Sequence, residues 1–156
     1  MQRITTLLLA LMIGICSFSQ TSSTPSCETR ETKLLGSYGI LSGAMTYNTY
    51  LTIGAITDCY VAKGYDDAKV KSLFDEQKTL LSNIIDDLDN LIKEKTLTDK
   101  DDIYYAQGMS NVLKGLKKQI DYFLDYTKDK TSARIATFES QRKKNWDNIS
   151  KLLDIK

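Results

Sequence analysis

The chain has 156 residues, and its 21 basic and 20 acidic side chains leave a formal net charge of +1 at pH 7. This balance excludes a charge-driven partner such as nucleic acid or an anionic membrane, because both attract a clear excess of positive charge. The sequence contains no histidine. That absence excludes Ser-His-Asp and Cys-His catalytic groups, histidine-ligated haem and most zinc and di-iron bundle sites. The composition therefore predicts a protein that is not an enzyme and holds no metal or cofactor.

The N-terminus has the layout of a secretory signal peptide. A basic start at Met1–Arg3 precedes an apolar run at Ile4–Ile15, and small residues follow up to Ser19. The run is about a dozen residues long, shorter than the roughly 20 that span a membrane as a helix. We expect residues 1–19 to be removed on export to the periplasm or the cell exterior, so that the mature chain begins at Gln20.

A second interpretation of the signal makes Cys16 the lipidated residue of a lipoprotein. Lipoprotein signals place a small residue directly before the cysteine, and Ile15 does not fit that pattern. The signal instead resembles those of Bacteroidota-type bacteria, whose mature proteins often begin with Gln. We therefore expect an exported chain without a lipid anchor.

Four long helical patterns follow a Ser/Thr/Pro tail at residues 20–27 that is expected to be disordered. The only proline is Pro25, so the rest of the chain is free to be helical. The patterns cover approximately residues 28–63, 66–95, 99–126 and 131–153. Because the connections are short, neighbouring helices should be antiparallel. The sequence thus predicts an all-α fold, an up-down-up-down four-helix bundle in one domain at residues 28–156.

The first pattern predicts a long helix that is mostly buried. Between Lys33 and Lys63 the only charged residue is Asp58, and a helix with so little polar surface is normally covered on most sides. Steps of four and three give one apolar stripe along it: Leu34, Tyr38, Leu41, Met45, Asn48, Thr52, Ala55, Cys59 and Ala62. The run Leu34–Thr57 is long enough to span a membrane. Its polar residues favour the centre of a bundle, so we expect no integral membrane span in the mature chain.

The two cysteines of the predicted mature chain, Cys27 and Cys59, raise a question about the first helix. Exported proteins usually form disulfides, yet an unbroken helix would separate these residues by about 48 Å, whereas a disulfide needs α-carbons within about 7 Å. The first helix therefore either breaks near Gly43 to allow an internal bond, or stays straight with free thiols and Cys59 in the core. Pairing of Cys27 with another molecule is a third possibility, and the regular stripe favours the straight helix.

Four polar residues lie on or near the predicted inward stripes: Asn48, Asp58, Gln77 and Arg142. Buried polar groups need partners, so an Asp58–Arg142 pair and a Gln77–Asn48 contact are expected. Such a layer would either fix the register of the helices or form a pocket for a polar ligand. The pattern of the fourth helix carries further members of its stripe: Ile135, Phe138, Arg142, Asn145, Ile149 and Leu152.

Aromatic residues near the helix ends are candidates for a protein interface, because tyrosine and tryptophan combine a large apolar area with a polar tip. They are Tyr60, Tyr65, Tyr104, Tyr105 and Trp146. Acidic clusters at 86–89 and 99–102 lack the glycine and the terminal glutamate of a calcium loop. We interpret the second cluster as charge at a helix start.

The stretch Tyr47–Val61, YNTYLTIGAITDCYV, resembles segments of uncharacterised exported helical proteins of Gram-negative bacteria. The C-terminal spacing of Phe138, Arg142, Trp146, Ile149, Leu152 and Leu153 resembles them too. The resemblance implies an exported helical bundle and carries no activity with it.

These observations favour an exported, non-enzymatic interaction module. Its partner is an unknown protein or a second copy of the chain, and an inhibitor or immunity protein is one example of this class. The alternative is a carrier or sensor of a small ligand that binds in a polar pocket between the helices.

Overall fold

The computed structural model describes residues 26–155, which form four helices and no strand. The helices are α1 (Cys27–Val61), α2 (Asp67–Lys93), α3 (Lys100–Lys128) and α4 (Ser132–Leu152). The predicted all-α four-helix fold is confirmed. The predicted signal peptide and the predicted tail up to residue 25 lie outside the described residues.

The chain divides after Gly36 into two compact units. Of the first unit the structure describes residues 26–36, which include the first turns of α1. There the Ser26 hydroxyl accepts a hydrogen bond from the Thr29 backbone N–H at 3.1 Å and caps the helix start. The second unit begins at Ser37 and contains the rest of α1 and the other three helices. The packing described below is that of the second unit.

Contacts between α2 and α3 show that these two helices are antiparallel. Lys78, early in α2, forms an ion pair with Asp121, late in α3. At the other end of the pair, the Ser110 hydroxyl of α3 donates to the Asp89 carboxylate of α2 at 2.6 Å. The short connection between them thus reverses the chain direction, as the sequence predicts.

The same reasoning orients α4 and α1. α4 runs antiparallel to α3. Phe138, near the start of α4, packs on Phe123, near the end of α3. Leu152, at the end of α4, lies beside Gly108 in the first half of α3, where a Cβ would be 2.9 Å from its side chain. α1 runs parallel to α3, since its Gly39 carbonyl accepts from the Tyr105 hydroxyl at 2.8 Å and its later residues approach Phe123. The order is therefore up-down-up-down.

α3 is the most covered helix of the bundle. Nine of its 29 residues are buried, whereas α1 buries eight of 35. The fully buried large side chains come from all four helices: Ile53, Phe74, Leu81, Leu88, Met109, Leu113, Leu116, Gln119, Ile120, Phe123, Phe138 and Ile149. The core thus follows the length of α3.

The prediction that α1 is mostly buried is wrong. The buried face of α1 is built mainly from small and hydroxyl residues: Ser42, Gly43, Thr46, Thr49, Ile53, Gly54, Ile56 and Thr57. These hydroxyls are satisfied in the core. Ser42, Thr49 and Thr57 donate to backbone carbonyls three or four residues earlier at 3.0, 2.9 and 2.7 Å. Thr46 donates instead to Met109 Sδ of α3 at 2.8 Å. The larger apolar residues of the predicted stripe point to solvent instead.

Cys27 and Cys59 are both free, and α1 continues without interruption through Gly43. The prediction of an unbroken first helix with no bond between these two cysteines is therefore confirmed. Cys59 differs from the expectation in one respect, because it is exposed rather than packed in the core. Its position places a thiol on the solvent-facing side of α1.

The helix ends use side-chain caps and left-handed residues, the latter at Lys63, Lys95 and Asp154. Asp66 caps α2, since its carboxylate accepts from the Lys69 N–H at 2.7 Å. Asp99 caps α3 by accepting from the Asp101 N–H at 2.7 Å. α1 ends with Lys63 in the left-handed region, at φ 61°, directly before Gly64. Gly64 is needed for space, because a Cβ there would lie 3.3 Å from the Cys59 carbonyl oxygen.

Candidate functional site

The structure does not bring the four predicted polar residues together in the core. Asn48 and Asp58 are exposed, and Gln77 and Arg142 are half-buried. The predicted inward position of Asn48 and Asp58 is wrong, because the stripe that contains them faces solvent. No hydrogen bond joins Gln77 to Asn48 within residues 26–155.

Arg142 is the one member of this set that lies beside α1. A Cβ on Gly54 would be 3.9 Å from its guanidinium nitrogen, and Glu139 approaches it at 3.7 Å. Partial burial lowers the pKa of Arg142, but Tyr50 and the charges of Glu139 and Asp58 outweigh it and raise that pKa. Asp58 and Arg142 are therefore electrostatic neighbours without forming an ion pair.

The buried polar layer of the bundle is an amide cluster between α3 and α4. The Asn145 side-chain N–H₂ donates to the Gly115 carbonyl at 3.0 Å and to Gln119 Oε1 at 2.8 Å. Gln141 donates to Asn145 Oδ1 at 2.8 Å. Asn145 and Gln119 are both fully buried. The cluster fixes the register of α4 on α3, because a shift of either helix would separate these partners.

Sequence reasoning placed Asn145 on the inward stripe of α4 but did not identify the cluster. Gln119 has a weak sequence signal, since it lies three residues after Leu116 and four before Phe123, both buried. Only the juxtaposition of the two helices shows that these amides meet. The Gln119 Nε2 has no partner within the described chain.

Gly115 allows α4 to approach α3 at this cluster. A Cβ at this position would lie 2.5 Å from Asn145 Oδ1, and that atom is held in place by hydrogen bonds. Gly115→Ala is therefore expected to lower the free energy of unfolding by about 1–3 kcal/mol, the usual range for overpacking. Gly39→Ala is the matched control, because no atom lies within 4 Å of its Cβ position. Urea unfolding of both variants tests this expectation, and equal midpoints would contradict it.

Two of the five predicted interface aromatics serve internal packing. The Tyr105 hydroxyl donates to the Gly39 carbonyl at 2.8 Å, which ties the start of α3 to α1. Trp146 lies between Tyr47 and Tyr50, with ring centroids 6.3 and 5.6 Å away. These contacts join α4 to α1 and leave both residues half-buried.

The other three aromatics differ in exposure. The Tyr60 hydroxyl donates to Asp67 at 2.7 Å, and Lys130 lies 5.3 Å from the centre of its ring. Burial, together with Asp67, raises the pKa of Tyr60 although Lys130 opposes the shift. Tyr65 is half-buried against the core, and Tyr104 remains 77% exposed. Of the five, Tyr104 alone keeps most of its ring free.

A shallow groove of about 440 Å³ lies between α2 and α3. Asp89 lies in its wall and accepts from the Ser110 hydroxyl at 2.6 Å and from the Lys114 ammonium at 2.8 Å. Asp89, Ser110 and Lys114 thus satisfy one another, and Lys93 is the other charged residue of the groove lining. Within residues 26–155 no three acidic or cysteine side chains group as a metal site.

The Asp89 network should make stability depend on acid. The hydrogen bonds from Lys114 and Ser110 lower the pKa of Asp89 below its ordinary value of 3.8. A carboxylate with a lowered folded-state pKa stabilises the fold above its unfolded pKa, and that stability is lost as the pH falls through the folded pKa. The Asp89→Asn variant should therefore be modestly less stable than the parent at pH 7 and equally stable at a pH below the folded-state pKa of Asp89. Urea titrations at both pH values measure the difference, and a gap that persists in acid would refute this origin.

An unpartnered, mainly apolar surface lies on α1. We define the outer face of α1 as its exposed residues Leu41, Ala44, Asn48, Leu51, Thr52, Ala55, Asp58 and Cys59, flanked by Tyr38, Ile40 and Val61. Ile40 is 76% and Leu41 69% exposed, and Leu51 remains 47% exposed. Asp58 carries the only charge of the face.

No helix in residues 26–155 combines the length and the apolarity that crossing a membrane requires. The outer face of α1 is an exposed row of mainly apolar residues, with the Asn48 amide near its middle and Asp58 toward its end.

Comparisons of the chain with protein-family models, curated proteins and solved structures find no match. The class of protein is therefore argued from the fold and from the outer face of α1 alone.

Proposed function

We propose that the protein is an exported, non-enzymatic interaction module that binds a protein partner through the outer face of α1. The observation that carries the proposal is the exposure of large apolar side chains, Ile40, Leu41 and Leu51 among them, on a face with one charge. Export rests on the signal-like residues 1–19, and the absence of histidine from the whole sequence supports a role outside catalysis.

A row of exposed large apolar side chains along one helix needs a physical reason. Single exposed apolar residues are common, but larger continuous patches usually mark a surface that another molecule covers. Each of the large side chains on the outer face would gain about 1.5–3 kcal/mol on complete burial relative to full exposure. A partner that presents its own apolar helix would bury several of them at once, and this mode of recognition is common among helical proteins.

The alternative, a small-ligand carrier, has less support. The polar residues that the sequence offered for a pocket are dispersed, because Asn48 and Asp58 face solvent while Arg142 faces Glu139. The buried amides bond mainly to one another and to the backbone. The groove beside Asp89 is shallow, and Asp89 and Lys114 in its wall are already paired with each other.

Site-specific photo-crosslinking in the native host tests the proposal. A photoreactive amino acid in place of Leu41 is expected to give a discrete protein adduct on illumination. The matched control places the same residue at Lys143, an exposed position on α4. Adduct formation at 41 and not at 143 would support the proposal. The absence of a protein adduct at 41, with a thermal shift of the purified chain by a small metabolite, would replace it with the carrier.

A further inference from the structure

The outer face of α1 has the spacing of a coiled-coil seam. The residues that would lie between two paired helices follow one another in alternating steps of three and four: Leu41, Ala44, Asn48, Leu51, Ala55 and Asp58. All six are exposed. This spacing is the heptad repeat in which two helices pack against each other along their whole length. Because no other helix of the described chain covers this seam, its partner must come from outside residues 26–155.

The residue types of the seam suit a parallel partner of identical sequence. In a parallel, in-register pair each residue meets its own copy. Leucine and alanine pair well with themselves, and an asparagine amide can both donate to and accept from a second amide. A single buried asparagine at an inner position is a known device that fixes register and strand number in coiled coils. Asn48 occupies such a position, between Ala44 and Leu51 on the seam.

The exposed area is large enough for a specific but modest self-association. Tyr38, Ile40, Leu41, Leu51 and Val61 are between 47% and 76% exposed. Together they keep on the order of 500 Å² of accessible surface on each copy, so a symmetric pair that covered them completely would bury at most about 1,000 Å², near the lower limit for specific interfaces. A reversible, concentration-dependent dimer is expected from that area.

Charge is the one feature of the seam that opposes a parallel pair. Asp58 would face Asp58 of the second copy, and like charges at facing positions destabilise a helix pair. The opposition is limited in two ways. Asp58 lies near the end of α1, where the helix finishes at Val61, and the Arg142 guanidinium is close enough for the two charges to interact.

We infer that a second copy of this chain covers the outer face of α1, with the two α1 helices parallel and Asn48 paired with Asn48. The inference rests on the proposed function and names its partner. A dimer of this kind leaves α2, α3 and α4 of each copy on the sides away from the seam.

Sedimentation equilibrium of the full chain measures the dimer directly. Leu41→Asp combined with Leu51→Asp is expected to raise the dissociation constant by roughly tenfold or more, because it places charge in the centre of the interface. Leu80→Asp is the control, since Leu80 on α2 is 49% exposed and lies outside the seam. Circular dichroism confirms that each variant keeps its helices. Asp58→Asn should lower the dissociation constant several-fold.

Disulfide trapping tests the direction of the two helices. Ala44→Cys is introduced into the exported chain, which begins at Gln20, with Cys27 and Cys59 changed to Ser, and the purified protein is oxidised at the concentration where it dimerises. A parallel, in-register pair brings the two residues 44 together, so rapid covalent dimer formation is expected. In an antiparallel pair position 44 would face a different residue, and no rapid cross-link would form.

The outcomes separate the inference from the proposed function. The inference is overturned if the chain stays monomeric at about 0.5 mM, because a dissociation constant above that concentration is too weak for a specific dimer. A dimer that survives the double aspartate variant, or that resists trapping at 44, also overturns it. If the residue-41 adduct in the host then contains a different protein, the proposed function stands with another partner. If neither dimer nor adduct forms, both fail.

Discussion

Phe123→Ala is expected to lower the free energy of unfolding by about 3–5 kcal/mol, the range for a large aromatic removed from a packed core. Phe123 is fully buried. Its ring centre lies 5.5 Å from Tyr60 of α1, 5.9 Å from Phe74 of α2 and 5.0 Å from Phe138 of α4. All three contacts are edge-to-face, an arrangement that adds to simple burial. The substitution therefore removes the side chain on which all the other helices meet.

Urea unfolding followed by circular dichroism measures this loss. Tyr104→Ala is the matched control, because it removes an aromatic ring from the same helix at a site that is 77% exposed, and its effect should stay within about 0.5 kcal/mol. Comparable losses for the two variants would show that the four helices do not share a core at Phe123.

Asn145→Ala is expected to cost about 2–4 kcal/mol, because it leaves buried polar atoms without partners. Without Asn145, the fully buried Gln119 loses the donor to its Oε1, and its Nε2 already has no partner in the described chain. The Gly115 carbonyl and the Gln141 amide lose partners as well. Thermal or urea unfolding measures the loss.

Replacing both buried amides gives a sharper test of the same cluster. Removing one partner of a buried hydrogen bond costs more than replacing both by apolar groups of similar shape. The double variant Asn145→Leu with Gln119→Met is therefore expected to be more stable than Asn145→Ala. A double variant whose loss equals the sum of the single Asn145→Leu and Gln119→Met losses would mean that the two amides are not coupled.

The sequence predicted the helices well because their signals are local. The stripes of α2, α3 and α4 follow steps of three and four, and a cap such as Asp66 stands directly before its helix. The direction of each helix follows from short connections. These features depend on residues that are neighbours along the chain, so a single sequence contains them.

The burial of α1 could not be predicted in the same way. Periodicity shows that a helix has an apolar face, but it does not show which face the rest of the chain covers. In α1 the face that packs against the core is the hydroxyl face around Thr46, whose Oγ1 donates to Met109 Sδ at 2.8 Å. Leu41 lies on the opposite, exposed side of the helix. The preference involves Gly43, where a Cβ would lie 2.9 Å from the side chain of Leu153, a residue 110 positions away along the chain.

The prediction of the candidate site also depended on which face of α1 is buried. Asn48 was predicted as a buried polar residue because its stripe was expected to face inward, and the structure reverses the direction of that stripe. The amide cluster of Gln119 and Asn145 was missed because two ordinary amides on separate helices have no shared sequence signal. Spatial juxtaposition, and not composition, distinguishes them.

The most direct test of a covered outer face uses the natural thiol of Cys59. Cys59 lies on that face and is exposed, and Cys27 is a second exposed thiol that provides the internal reference. The measurement is the rate of modification of each thiol by a small alkylating reagent, in the native host and in the dilute purified chain, with the products counted by mass spectrometry. If a partner covers the outer face, Cys59 should react several-fold more slowly in the host, relative to Cys27, than in the dilute chain. Equal relative rates in the two settings would contradict the proposal that this face binds a protein.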